Sequence, residues 1–92
     1  MEEQTVHWTS YMKHRLALRG FDPAIVEHIV RYSTERYTDT VTGRLVAVGR
    51  HQGVPVLIPY DKEGATLTPV TIHATSRQQV KARVASGRFE HV

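Results

Sequence analysis

A strand-to-helix junction near the end of the chain carries the residues best suited to chemistry. In VTIHATSRQQVKARV, residues 70–84, a β-branched run contains His73, and a basic segment with Arg77, Lys81 and Arg83 follows. Histidine exchanges protons near neutral pH, arginine binds phosphate through paired hydrogen bonds, and a helix N-terminus offers N–H groups to an anion. The junction predicts a phosphate site that holds or cleaves RNA. The alternative is a structural junction in which His73 bonds a neighbouring carbonyl.

Two arginines and one tyrosine elsewhere extend the predicted site. Arg44 and Arg50 lie six residues apart at the ends of a predicted strand, so both fall on one face of the sheet. RNA cleavage by its own 2'-hydroxyl needs a base, cations to stabilise the charged phosphorane, and an acid for the leaving oxygen. We predict that His73 is the acid/base group and Tyr60 a helper. The predicted phosphate ligands are Arg44, Arg50, Arg77, Lys81 and Arg83.

The composition is that of one small basic domain spanning residues 1–92. Twelve Lys and Arg against nine Asp and Glu give a net charge of +3, and nine of the cations are arginine. From residue 70 onward there are four cations and one acid, which favours an anionic partner such as RNA. No apolar run approaches the ~20 residues of a membrane helix, and cysteine is absent, so we expect a cytoplasmic protein without membrane contact.

Several common enzyme sites have no counterpart in the sequence. The six histidines include no i, i+4 pair, and there is no His-Glu-x-x-His motif. A Gly-x-Ser-x-Gly elbow and a glycine-rich phosphate loop are also missing, and no cysteine can act as a nucleophile. We therefore expect neither a metal nor a cofactor.

The periodicity and capping residues predict an α+β fold. Two N-terminal helices precede a three- or four-stranded, mainly antiparallel sheet, and one C-terminal helix follows. The predicted helices span residues 9–19, 22 to about 33, and 76–86. The predicted strands are a short edge strand at 36–40, two strands joined at 51–53, and a last strand at 66–73. Pro55 and Pro59 fall within one of these strands, which predicts an edge position or an irregular strand.

Three stretches carry a family resemblance: MKHRLALRGFDPAIVEHIV, D-T-x-T-G-R-x-V-A-V-G-R and P-V-T-I-H-A-T-S-R-Q-Q-V. Together they resemble BrnT-like toxins of the RelE/ParE toxin superfamily, over nearly the whole chain. The resemblance implies a small α+β fold, inhibition of translation by RNA cleavage, and a cognate antitoxin as partner. Related domains often carry a histidine where this chain has Tyr11.

The leading hypothesis is therefore a toxin-like, metal-independent RNA endonuclease of a type II toxin–antitoxin pair. A non-catalytic nucleic-acid or protein-binding module on the same scaffold is the second, and the departure at Tyr11 favours it. A third is a structural interaction protein whose prolines protect a sheet edge.

Overall fold

The computed structural model describes residues 3–92, in which seven strands and three helices form an α+β fold. In chain order they are β1 (Thr5–Val6), α1 (Ser10–Arg19), α2 (Pro23–Tyr32), β2 (Glu35–Asp39), β3 (Leu45–His51), β4 (Val54–Glu63), β5 (Thr66–Pro69), β6 (His73–Ala74), α3 (Arg77–Ala85) and β7 (Phe89–His91). None of these helices is long and apolar enough to cross a membrane.

The sheet is larger than the sequence predicts. Its order is β1-β5-β4-β3-β2-β7, with β6 pairing β4 in line with β5. The α+β class is confirmed, but the prediction of three or four strands was too low. The sheet is also mixed, because β1 runs parallel to β5 while the other pairs are antiparallel. The predicted order was wrong at both ends, since β1 precedes the first helix and β7 follows the last. As a result β2, predicted as an edge strand, lies between β3 and β7.

The helices begin where the sequence predicts their caps. The side chains of Thr9, Asp22 and Ser76 each accept a hydrogen bond from a backbone N–H two or three residues further on. Pro23 occupies the first turn of α2, where its missing N–H is not needed. Gly20 ends α1 in the left-handed conformation, with φ of 73°. The predicted helix bounds are correct to within one residue.

The two prolines lie in a central strand, so the predicted edge position was wrong. The carbonyl oxygens of Pro59 and Pro55 accept hydrogen bonds from the N–H groups of Val70 and Thr75, on the side of β4 that faces β5 and β6. In a strand the N–H and C=O of one residue point the same way, so both missing donors also face that side. There the predicted single strand 66–73 is interrupted, and β5 and β6 are separate. The irregularity expected from the prolines therefore appears in the neighbouring strand.

The helices cover both faces of the sheet and make two cores. Helices α1 and α2 pack on one face, where the buried side chains are Val6, Met12, Leu16, Val26, Ile29, Val30, Ala47, Val56, Ile58, Tyr60, Leu67 and Ile72. Helix α3 packs on the other face, where the buried side chains are Tyr37, Val46, Val48, Leu57, Val80 and Phe89. Within residues 3–92 one short helix covers this second face, and it leaves part of the sheet open to form a cleft.

Candidate functional site

A cleft of about 260 Å³ opens on the α3 face of the sheet, next to the turn between β2 and β3. Its lining residues are Asp39, Thr42, Arg44, Val46, Leu57, Pro59, Val70, Thr71, His73, Arg83, Arg88 and Phe89. Three of the predicted site residues, His73, Arg44 and Arg83, therefore meet in one place. They come from β6, from the start of β3 and from the last turn of α3.

His73 lies at the edge of the cleft with its ring on the α3 face. It is in register with Leu57, a member of the second core, while the preceding Ile72 is buried in the first core. Partial burial, and then the positive charges of Arg15, Arg19 and Arg83, lower the pKa of His73 below its usual 6.5. The ring is consequently neutral at pH 7 and able to accept a proton.

Arg83 supplies a cation that no described carboxylate neutralises. Its guanidinium lies over the ring of Phe89, with 5.4 Å between the guanidinium carbon and the ring centroid. Among the ion pairs of residues 3–92, none involves Arg83. Stacking on an aromatic ring orients the guanidinium without cancelling its charge, so its donors remain available to an anion.

Arg88, a cleft residue that the sequence analysis missed, is held by a buried carboxylate. Its Nε and Nη2 lie 3.2 Å from Oδ1 and 3.2 Å from Oδ2 of Asp39, which is 6% exposed. Burial would raise the pKa of Asp39, but the bonds from Arg88 and from the N–H groups of Val41 and Thr42 outweigh it and lower that pKa. The pair joins residues 49 apart, and no local pattern reveals such a contact.

Arg44 is paired more loosely than Arg88. Its Nε lies 3.3 Å from Oδ1 of Asp61, and both side chains are largely exposed. Exposed pairs of this kind contribute about 0–1 kcal/mol, so a phosphate can replace the carboxylate at little cost. Arg44 follows Gly43, whose φ of 76° closes the β2–β3 turn and brings Arg44 next to the cleft.

The other predicted phosphate ligands lie on the same face but outside this cleft. Arg50 and Arg77 line a second hollow, and Lys81 lines a third beside Arg77. Arg77 is already paired with a carboxylate, because its two terminal nitrogens lie 2.8 and 2.9 Å from the oxygens of Glu35. That bidentate bond is the main cause that lowers the pKa of Glu35, against the opposing effect of burial. Tyr37 also donates to Glu35.

Tyr60 is separated from His73 by the sheet. It is buried in the first core, while His73 is in register with a residue of the second. The Tyr60 hydroxyl accepts a hydrogen bond of 3.0 Å from Arg36, whose guanidinium also lies over the Tyr60 ring. The two predicted acid/base groups therefore open onto opposite faces.

No protein-family model matches the chain, and comparisons with curated proteins and with solved structures gave no match. The resemblance to BrnT-like toxins accordingly stays a prediction. Several residues that carry it have structural roles: Gly20 ends α1, Gly43 closes a turn, and Gly49 leaves room for Ile29 of α2.

Another histidine has a structural role that its sequence context did not indicate. His51 is 5% exposed, and its Nε2 accepts a hydrogen bond of 2.8 Å from the backbone N–H of Asp22. Phe21 packs edge-on against its ring at 5.0 Å. His51 thus joins the end of β3 to the start of α2. Across residues 3–92, no three His, Cys, Asp or Glu side chains are grouped to hold a metal.

Proposed function

We propose that this domain binds RNA in the α3-face cleft and cleaves it there without a metal, with His73 as the general base. One observation carries the proposal: a histidine with a lowered pKa lies in the same cleft as Arg83, whose charge no described carboxylate cancels. A neutral imidazole beside such a guanidinium is the pair that a phosphodiester transfer requires.

The reaction is an internal transesterification. His73 removes the proton from the 2'-hydroxyl, a bond forms between the 2'-oxygen and phosphorus, and the bond from phosphorus to the 5'-oxygen breaks. The products are a 2',3'-cyclic phosphate and a free 5'-hydroxyl. The leaving 5'-oxygen takes its proton from solvent, because Asp39, the one carboxyl among the described lining residues of the cleft, is ionised and bound to Arg88. Tyr60 takes no part.

The arginines of the cleft have different electrostatic roles. Arg83 binds a non-bridging phosphate oxygen and stabilises the charge that develops in the phosphorane. Arg44 exchanges Asp61 for a neighbouring phosphate, and Arg88 remains an oriented donor fixed by Asp39. Arg50, Arg77 and Lys81 lie further along the same face, where they extend the basic surface.

We further propose that the biological setting is a type II toxin–antitoxin pair acting in the cytoplasm, with a cognate antitoxin as protein partner. The support is the resemblance to BrnT-like toxins together with the basic cleft. Induced expression should then arrest bacterial growth, and His73→Ala should relieve the arrest at equal protein levels. Growth unaffected by the wild type would contradict the toxin role while leaving the RNA site open to test.

Cleavage itself is tested with purified protein, a labelled RNA of mixed sequence, and EDTA. The wild type should produce fragments with a 2',3'-cyclic phosphate, and His73→Ala should slow cleavage by about 100-fold or more, because a positioned base is lost. An all-2'-deoxy strand should stay intact because it lacks the nucleophile. His28→Ala is the matched control, since His28 is exposed on α2, on the opposite face.

A non-catalytic RNA-binding module is the second candidate, favoured by the absence of an unengaged acid beside His73 in the cleft lining. It predicts RNA binding that depends on Arg83 without any cyclic-phosphate product. Cleavage that survives His73→Ala would also contradict the mechanism proposed above.

A further inference from the structure

Strand β7 leaves one edge of the sheet open. It is the last strand in the sheet order, and within residues 3–92 no strand lies on its outer side. The N–H of Thr40 in the β2–β3 turn donates to the carbonyl of Arg88, and the N–H of Val92 also donates toward β2. Alternate residues of a strand bond to the same side, so Phe89 and His91 direct their N–H and C=O groups away from the sheet.

A hollow of about 310 Å³ lies beside this edge, on the α3 face of the sheet. It is lined by Tyr37 of β2 and His91 of β7, whose rings are 5.0 Å apart, and by Val84 and Ala85 of α3. A strand added next to β7 would run about 4.8 Å from it, and every second side chain of that strand would face the hollow. The open backbone groups and the hollow therefore belong to one surface.

The charges differ between the two faces of this edge. Lys81 also lines the hollow, and no ion pair among residues 3–92 involves it. Glu90 lies between two residues whose side chains are on the α3 face, so its own exposed side chain is on the other face. The ligand that complements this edge carries apolar and acidic side chains toward α3 and a basic side chain opposite Glu90.

A second copy of this chain does not meet that requirement. Two β7 strands related by a twofold axis use all of their outward N–H and C=O groups only when Glu90 of one lies opposite Glu90 of the other. Like charges directly opposite each other destabilise a strand pair, and the Lys81 side chains of both copies would add a second repulsion.

We propose that β7 is a docking edge for an extended segment of another protein, which adds an antiparallel strand to the sheet. The backbone groups of Phe89 and His91 hold the segment, while the hollow, Lys81 and Glu90 select its side chains. The bound segment alternates apolar or acidic residues, facing α3, with a basic residue opposite Glu90. This inference does not depend on the proposed RNA cleavage, which uses a different part of the α3 face.

The test begins with random peptides of about ten residues, displayed on phage and selected on the wild-type protein. Selection should enrich the alternating pattern described above, and failure to enrich it would overturn the proposal. An enriched peptide is then made with fluorescein and measured by anisotropy. Methylating the backbone nitrogens of two residues that face α3 removes the donors to β7 and should weaken binding roughly 10- to 100-fold. Methylating two residues between them is the matched control and should change little.

Variants of the protein locate the bound peptide. Lys81→Glu should weaken binding roughly 3- to 10-fold, because an attraction becomes a repulsion, whereas Lys62→Glu, on the opposite face, should bind like the wild type. His91→Pro removes an outward N–H of β7 and should weaken binding as well. Thermal unfolding checks that each variant is folded. Equal binding of the two methylated peptides, or an equal effect of both lysine variants, would overturn the docking edge.

Discussion

At the scale of single residues, the chemistry of the cleft depends on which charges are already paired. Arg77 and Arg88 each hold a carboxylate through two bonds, while Arg83 is oriented by an aromatic ring and keeps its charge. The pKa of His73 depends on these unpaired charges, because burial and then the positive charges of Arg15, Arg19 and Arg83 lower it. Its titration is therefore a measure of the cleft's electrostatics that does not require a substrate.

We predict that an NMR titration of His73 in the protein without RNA gives a pKa below 6.5, and that Arg83→Gln moves it upward. The protonated ring is disfavoured in the folded state, so the contribution of His73 to stability is full above pH 6.5 and is lost as pH falls through the lowered pKa. The proposed cleavage should become faster as the pH rises through the same lowered pKa.

Lys62→Gln is the control for that titration, since it removes the same charge from the opposite face of the sheet, beside Tyr60. An unchanged His73 curve in Arg83→Gln, or an equal change in both variants, would mean that Arg83 does not act on the ring.

At the scale of elements, α2 packs directly on β3 at Gly49. A Cβ built there would lie 2.6 and 2.8 Å from Cγ2 and Cγ1 of Ile29, well inside van der Waals contact. These two carbons branch directly from the Ile29 Cβ and cannot swing away. The α2–β3 spacing therefore requires glycine at this position.

Gly49→Ala should lower the free energy of unfolding by about 1–3 kcal/mol, the usual cost of overpacking a core. Ile29→Ala removes the atoms in conflict, so the double variant should be more stable than the sum of the two single changes predicts. Urea unfolding of all four proteins measures this coupling. Strict additivity would show that the contact at Gly49 is not the source of the loss.

The helices were predictable because their signals are local. The caps Thr9, Asp22 and Ser76 lie next to the turns that they complete. The sheet was less predictable, because β1, β6 and β7 have two or three residues each and exist only through pairing with distant strands. The proline prediction failed for a related reason: which side of β4 each missing N–H faces depends on the whole sheet.

The site was predictable in part. His73, Arg44 and Arg83 do meet, but sequence spacing could not show that Arg77 is occupied by Glu35, 42 residues away, or that Tyr60 opens on the other face. Arg88 was missed because its orientation comes from Asp39, which is distant in sequence and buried.

At the scale of the whole molecule, six of the twelve lysine and arginine residues lie on the α3 face. The α3 face carries Arg44, Arg50, Arg77, Lys81, Arg83 and Arg88, with Asp39, Glu35 and Asp61 as the carboxylates bound among them. Six cations and three carboxylates leave this face with an excess of three positive charges, which favours the approach of a polyanion from this side.

RNA binding should weaken steeply with salt, with a log–log slope of magnitude about 0.7 for each phosphate contacted. Arg83→Ala should reduce the magnitude of that slope by about 0.7, the value for one phosphate contact. Lys62→Ala removes the same charge from the other face of the sheet and should leave the slope unchanged. Fluorescence anisotropy between 50 and 300 mM KCl is the measurement, those concentrations bracketing roughly physiological salt. A flat dependence would indicate a protein partner instead.

The pairing of the outermost strands has a consequence for how the molecule acquires its structure. Strand β1 is joined to β5 across 61 residues (Thr5 to Thr66), and β7 to β2 across 52 (Thr38 to Glu90). The β3–β4 hairpin closes over Gln52 and Gly53 alone. Because long loops cost entropy before their contacts form, we expect the hairpin to assemble early and the pairings of β1 and β7 to form last. Until β1 and β7 pair, the open edges of β5 and β2 can pair with a second unfolded chain, so we expect newly made chains at high concentration to be prone to aggregation.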